Sequence, residues 1–303
     1  MPRILHLDSG QEMRGGQWQA LRLHRGQVQA GHQSLLLARE DSPLLEAARD
    51  AGLPCGVLRP LRLALLSREF DLVHAHDART HTLAALFSRV PFVVSRRVAF
   101  PVRDSAISRW KYRRAGLFLA VSHHVADKLR NAGIEDRRIA VVYDGVAVPP
   151  ETVQERHAIL IPHTIDSQKG MALAREAAQL AGVEFEITRN LATDLPRARA
   201  LVYITYSEGL GSGILLAMAH GVTVIASRVG GIPELLCDGK NGILVDNNPV
   251  AVAAAFARID PALGRAARAT VIERFTEEHM VTATLAAYKK SACGKAVYGR
   301  VSM

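Results

Sequence analysis

Glu208 stands immediately before a turn spaced by glycines, Gly209, Gly211 and Gly213, in the run 205–221. An apolar strand pattern precedes this run and a helical pattern follows it. Glycines let a backbone turn tightly and approach a ligand closely. The start of the following helix offers free N–H groups and a positive dipole end, which together attract phosphate. Ser212 lies in the same turn. A carboxylate beside an anion site repels phosphate, so Glu208 is expected to face something neutral that carries hydroxyls. A sugar fits that description. Taken alone, the glycines are as readily a tight structural turn.

Two further patterns bear on chemistry. Gly15 and Gly16 sit in a loop with Glu12 and Arg14, between a strand pattern at 3–8 and a helix starting near Trp18. His74 and His76 lie two apart on a strand and so point to the same side. A metal pair is one reading of them, but no third ligand is near in sequence, and no metal or other cofactor is expected. The chain has no Gly-x-Ser-x-Gly elbow, no Walker-type phosphate loop and no carboxylate pair at hydrolase spacing.

Three blocks follow one another in the second half: the run 205–221, a strand ending in Gly230 and Gly231 with Glu234 three residues on, and a stretch at 238–245. Their order and spacing resemble the retaining group 1 glycosyltransferases of the GT-B fold, specifically over 203–245 and more weakly over 3–290. The resemblance implies an α/β protein of two Rossmann-like domains whose parallel sheets face a central cleft. It implies transfer of a sugar, with retention and without metal, from a nucleotide-sugar donor. Glu208 would contact the transferred sugar, and Gly211, Ser212, Gly213, Gly230, Gly231 and Glu234 would line the donor site. Lys169 matches the family's lysine that neutralises the leaving diphosphate. His163 stands six positions before it, where the family has arginine, and carries charge only when protonated. Gly15, Gly16 and Arg97 would border the acceptor, with His76 facing the cleft and His74 packed behind.

The sequence departs from the family in three places. Leu216 replaces the glutamate that holds the donor ribose, His163 replaces the arginine, and the region between Gly170 and Ser207 is short by a βα unit. These departures leave open a second reading, an inactive glycosyltransferase-like partner of another enzyme.

The elements that must position these residues alternate as short apolar strands and amphipathic helices, the grammar of parallel βαβ units. Strand patterns occur at 4–7, 34–37, 72–75, 92–94, 117–121 and 139–142, then at 158–161, 184–187, 201–205, 223–226 and 242–245. Helical patterns occur at 18–30, 80–87 and 124–132, then at 171–181, 213–220, 251–259 and 276–290. Pro149 and Pro150 mark a linker. The expected domains are 1–148 for the acceptor and 149–290 for the donor, with a tail at 291–303.

The 303 residues, 49% of them hydrophobic, suffice for two cores. The net charge of +9 favours an anionic partner. The stretch 96–114 concentrates it, with Arg96, Arg97, Arg103, Arg109, Lys111, Arg113 and Arg114 against Asp104 alone. That stretch is either a solvated helix face or a dock for an anionic membrane surface or a phosphorylated acceptor. A lipid-linked or envelope-glycan acceptor follows as an expectation. Aromatics at 5% give no stacking platform, so nucleic acid is not an expected partner. Three scattered cysteines, no signal segment and no membrane-length apolar run suggest a cytoplasmic location, at most peripheral to the membrane.

Overall fold

The computed structural model describes residues 1–151, 156–164, 166 and 169–290. The tail expected at 291–303 lies outside the described residues. Two compact units divide the chain: Met1–Asp144 together with the chain from Glu277, and Gly145–Thr276.

The first unit runs β1 (Ile4–Asp8), α1 (Gly15–Gln29), β2 (Ser34–Ala38), α2 (Pro43–Asp50), β3 (Cys55–Val57), α3 (Pro60–Leu66), β4 (Leu72–Ala75), α4 (Ala78–Phe87), β5 (Phe92–Arg96), α5 (Ala106–Arg114), β6 (Leu117–Ala120), α6 (His123–Asn131) and β7 (Ile139–Val141). Its sheet has the order β3-β2-β1-β4-β5-β6-β7, and every pairing is parallel. Helices cover both faces of such a sheet, so its strands read as unbroken apolar runs. All five residues of β1 are buried. Asp77 starts α4 with a reciprocal capping box to Thr80, which fixes where β4 stops and the helix begins.

The second unit runs β8 (Ala158–Pro162), α7 (Met171–Leu180), β9 (Glu186–Thr188), α8 (Leu191–Asp194), β10 (Ala198–Tyr203), α9 (Ser212–Ala219), β11 (Thr223–Ser227), β12 (Ile243–Val245), α10 (Pro249–Ala255) and α11 (Pro261–Arg274). Its parallel sheet has the order β12-β11-β10-β8-β9. Counted from β8 that is 2-1-3-4-5, the shorter of the two common doubly wound orders. Between α7 and β10 the shortened segment holds one three-residue strand, β9, one four-residue helix, α8, and a 3-10 turn at Leu195–Arg197. Both units are Rossmann-like α/β layers.

The last helix, α12 (Glu277–Lys290), belongs to the first unit, whereas the sequence division puts it with the second. Packing explains the placement. Met280, Val281, Ala287 and Tyr288 are buried against Ile4, Leu23, Leu72, Val93 and Leu117, on a face of the first sheet. Gly26 on α1 gives the room for this, since a Cβ there would lie 2.5 Å from Val281. Glu277 adds ion pairs to Arg22 at 3.3 Å and Arg25 at 2.6 Å.

Candidate functional site

In doubly wound sheets a crevice opens where neighbouring strands send their connections to opposite faces. In the second unit that point lies between β8 and β10. Lys169 comes from the loop after β8, and Glu208 from the loop after β10. The Lys169 Nζ donates to Glu208 Oε2 at 2.7 Å. The Tyr203 hydroxyl, at the end of β10, donates to the same oxygen at 2.9 Å. Burial and the Glu208 charge push the Tyr203 hydroxyl well above its ordinary pKa, so it stays a donor. Tyr203 was not singled out from the sequence. Its position as the last residue of a strand, five before Glu208, is the signal that could have found it.

A pocket of about 270 Å³ opens beside this pair. Its walls include His163, Lys169, Met171, Leu191, Tyr203, Ser212 and Gly213. His163 is exposed, and its backbone N–H donates to Thr188 at 2.7 Å, which ties the end of β8 to β9. Gly211 is the N-cap of α9, so that helix has no side-chain cap. The first N–H groups of a helix have no partner within it. Those of Ser212 and Gly213, two residues that line the pocket, are therefore available as donors for an anion. Leu216 is half-buried on α9.

The loop carrying Glu208 is held from three sides. Gly170, next to Lys169, adopts φ +53 against the end of β10, where a Cβ would lie 2.6 Å from the Ile204 side chain and 3.0 Å from its backbone. Thr205 N–H donates to Ser227 Oγ at 2.9 Å, Ser227 donates to Asn247 Oδ1 at 2.6 Å, and Asn247 Nδ2 donates to Thr205 O at 2.9 Å. Gly231 N–H donates to the Glu208 carbonyl at 3.2 Å. Gly230 has φ +58, and a Cβ there would lie 2.0 Å from that carbonyl oxygen. The glycine pair therefore supports the backbone of Glu208. Glu234 is half-buried in the short 3-10 turn Ile232–Glu234 that follows. Gly230→Ala is expected to cost about 2–5 kcal/mol, from left-handed backbone strain and an overlap with backbone that cannot rotate away. Denaturant unfolding checks this, and a midpoint equal to wild type would refute it.

The first unit has its own switch point between β1 and β4. Gly15 and Gly16 begin α1 there, and a Cβ on Gly16 would meet nothing within 4 Å. Arg14 and Glu12 pair with each other at 2.8 Å and are exposed. Asp8, at the end of β1, accepts from Gly10 N–H at 2.8 Å and from Gln17 Nε2 at 3.2 Å. Burial raises its pKa to about 6. This carboxyl was missed in the sequence because it reads as a strand end.

Behind these loops lies a buried row of imidazoles. The register of β1 and β4 sets His6 opposite His74. His6 Nδ1 lies 2.8 Å from His76 Nε2, and His6 Nε2 lies 2.7 Å from Gln27 Oε1. Arg97 Nη1 lies 3.3 Å from His76 Nδ1, and Arg97 Nε donates to Asp144 at 3.1 Å. An arginine only donates. His76 Nδ1 must therefore accept, His76 Nε2 must donate to His6 Nδ1, and His6 Nε2 must donate to Gln27. The chain of bonds from Arg97 to Gln27 thus has one polarity, with His76 and His6 both neutral. His74 bonds Ser95 at 2.8 Å and Tyr288 at 2.7 Å. Among the described residues, His6, His74 and His76 are the group with metal-ligand proximity. Their nitrogens are engaged with one another, Gln27, Arg97, Ser95 and Tyr288. The sequence gives His76 a cleft-facing role. The structure buries it, with both nitrogens bonded, because β4 carries it into the row. Arg97, expected at the acceptor, is held by His76 and Asp144, with its side chain 15% exposed.

The basic stretch 96–114 is not one surface. Arg96 turns inward to Tyr112 and the Phe100 carbonyl, Arg97 to Asp144, and Lys111 to Thr82 and the Ala78 carbonyl. Arg103, Arg109, Arg113 and Arg114 remain exposed, along with Phe100 and Ile107. No helix among the described residues is long and apolar enough to cross a membrane.

Two family models match the chain. Residues 13–148 match Glycosyltransferase Family 4, and residues 139–259 match Glycosyl transferases group 1. The alpha-maltose-1-phosphate synthase of Mycolicibacterium smegmatis is 34% identical over 116 residues, which cover 34% of this chain and 30% of that protein. The D-inositol 3-phosphate glycosyltransferase of the same organism is 34% identical over 110 residues, covering 34% and 25%. The matched part thus spans less than a third of these relatives. Among solved structures, Anabaena HepE in complex with UDP and glucose has a TM-score of 0.81 at 16% identity, covering 95% of this chain and 100% of that one. A glycosyltransferase from Rickettsia africae has a TM-score of 0.80 at 19% identity, covering 95% and 98%. At these identities the likeness is one of fold.

Proposed function

The chain belongs to the group 1 glycosyltransferases, and from that membership we propose that it moves a sugar, with retention and without a metal ion, from a nucleotide-sugar donor to a glycan or lipid-linked acceptor. One observation carries the reading: the Lys169–Glu208 pair, 2.7 Å apart, at the switch point of the second sheet beside the uncapped start of α9.

That geometry suits a sugar diphosphate. A phosphate at the start of α9 takes the free N–H groups and draws Lys169 onto its oxygens. Glu208, kept in place by Tyr203, then accepts from sugar hydroxyls. As the anomeric C–O bond breaks, Lys169 and the helix dipole stabilise the diphosphate that leaves. The acceptor hydroxyl attacks on the same face, forming the new C–O bond and passing its proton to the departing diphosphate oxygen. Catalysis on this scheme is electrostatic stabilisation and positioning. The structure of Anabaena HepE in complex with UDP and glucose supports a nucleotide-sugar donor for this fold.

Leu216 removes the ribose contact that the family glutamate makes. The pocket has apolar walls at Met171, Leu191 and the Tyr203 ring, so the nucleoside is held chiefly by packing. The exposed part of the basic stretch, with Phe100 and Ile107, serves a peripheral contact with an anionic membrane when the acceptor is lipid-linked.

Calorimetry with uridine, guanosine and adenosine diphosphates, followed by a screen of nucleotide-sugar hydrolysis, tests the assignment. Binding of one nucleotide and turnover of its sugar are expected. No heat and no hydrolysis with any donor would favour the inactive partner that Leu216 suggests.

A further inference from the structure

The first unit contains a second cationic site that the transfer chemistry does not use. A cavity of about 470 Å³ lies along the flank of α5, beside the turn that follows α6. Its volume falls in the ~300–1,000 Å³ range of small-molecule sites. Arg103, Arg109 and Arg113 line it from the α5 side, and Arg138 from the start of β7. Asp104 is the one acid in its lining. Four guanidiniums less one carboxylate leave a formal +3 around the space.

Each charge has a traceable disposition. Arg109 pairs with Asp104. Arg138 donates to the carbonyls of Tyr112 and Ala115 at the end of α5, which fixes its position and leaves its charge in place. The Arg113 side chain, among the described residues, bonds the Arg109 carbonyl alone, at 3.3 Å through Nε. Arg103 has no ion pair or hydrogen bond among the described residues. The neighbouring acids are already matched, Glu135 by Arg137 and Asp136 by Arg130 at 2.6 Å. Nothing in the lining therefore balances Arg103 and Arg113. Planar guanidinium forks converging on one space match the oxygens of a phosphate.

The location separates this site from the switch points. The turn 132–134 and Arg138 precede β7, at the amino ends of the strands, and Arg103 and Asp104 lie in the connection from β5 to α5; no lining residue belongs to the loops after β1 or β4. Asp8 and His76 lie at the carboxyl ends of β1 and β4.

We infer that this cavity binds a phosphate ester, either a soluble one or the headgroup of an anionic phospholipid. The inference does not depend on the proposed transfer activity. The test uses the full chain, titrated by calorimetry at low salt with inorganic pyrophosphate and with glycerol phosphate. Lys169 also attracts phosphate, so the titrations are repeated in Lys169→Ala. Binding is expected in both, and at least tenfold weaker in the Arg103→Gln/Arg113→Gln double variant. Both of those side chains are exposed and neither pairs with an acid, so thermal unfolding should be unchanged. Arg79→Gln, exposed outside the cavity, should bind as wild type does.

Vesicles of phosphatidylglycerol, with phosphatidylcholine as control, distinguish the sources. Flotation with the anionic vesicles that is lost in the double variant assigns a lipid headgroup. Binding of glycerol phosphate without flotation assigns a soluble ester. Either result supports the site. Equal binding by wild type and double variant, loss of binding in Lys169→Ala, or no binding of any probe would overturn it.

Discussion

Glu208→Gln and Lys169→Ala should each lower sugar transfer by about 10²–10³-fold or more, with little change in stability. The reasoning starts from their contact, 2.7 Å between Nζ and Oε2. The pair is partly exposed, with side chains 34% and 16% accessible. A pair of that kind contributes ~0–1 kcal/mol to folding. On the proposed function its weight falls on the reaction. Removing one preorganised donor from a developing anion typically costs ~10²–10³ in rate, which is the role proposed for Lys169. Glu208→Gln keeps the size of the side chain and a bond to Tyr203 but removes the charge that sugar hydroxyls and Lys169 both recognise. Because the two residues touch, their effects should not add. The double variant is expected to be little worse than the worse single one. Tyr203→Phe should cost less, about tenfold, since it loosens Glu208 without removing it. Steady-state kinetics on the four variants would decide this. Full activity in both Glu208→Gln and Lys169→Ala would move the donor site elsewhere.

Much of the arrangement was legible because it is local. The glycine turn, the apolar runs of β1, β4, β8 and β11, and the helix after Glu208 each announce themselves within ten residues. Even so, α2 and α11 escaped notice, although Ser42-Pro43 and Asp260-Pro261 are cap-plus-proline starts that cap them in the structure. At three residues, β3 is too short to show a period. What the sequence hid is non-local. The third imidazole, His6, lies 68 residues before His74 and meets it only through the parallel register of β1 and β4. Tyr288 reaches His74 from the far end of the chain, because α12 finds its apolar partner on the first sheet. The basic stretch misleads for the same reason. Composition gives its charge, but only packing shows that Arg96, Arg97 and Lys111 turn inward while Arg138 joins from outside. Gly230 and Gly231 are expected from the resemblance to line the donor site, and what they approach closely is the backbone of Glu208.

Five buried imidazoles make the first unit acid-labile, and this is the largest stability effect expected: His6, His74 and His76 of the row, His24 bonded to Ser34 and the Pro54 carbonyl, and His81 bonded to the Lys111 carbonyl. Burial lowers the pKa of His6 to about 3 and those of His24 and His81 to about 4, and it takes His74 and His76 well below the usual value. Arg97, beside His76, lowers His6, His74 and His76 further by charge repulsion. The unfolded chain protonates these five near pH 6.5, while the folded chain does not until far lower. Between those limits the unfolded state holds more protons, so stability is full above about pH 6.5 and falls as pH falls. Each such group contributes a slope of up to ~1.4 kcal/mol per pH unit. Asp8 opposes them. Its folded pKa of about 6 exceeds the ordinary carboxylate value, so below pH 6 the folded state gains a proton first. Five groups less one leave a net slope of roughly 5–6 kcal/mol per pH unit near pH 5. A domain has ~5–15 kcal/mol to lose, so the first unit should unfold within one to three pH units below 6.5. Urea unfolding from pH 7.5 to 4.5 measures the slope. His24→Gln removes one titrating ring and should flatten it by about one proton, and a midpoint constant from pH 7 to 5 would show that the rings are not held neutral in the folded chain.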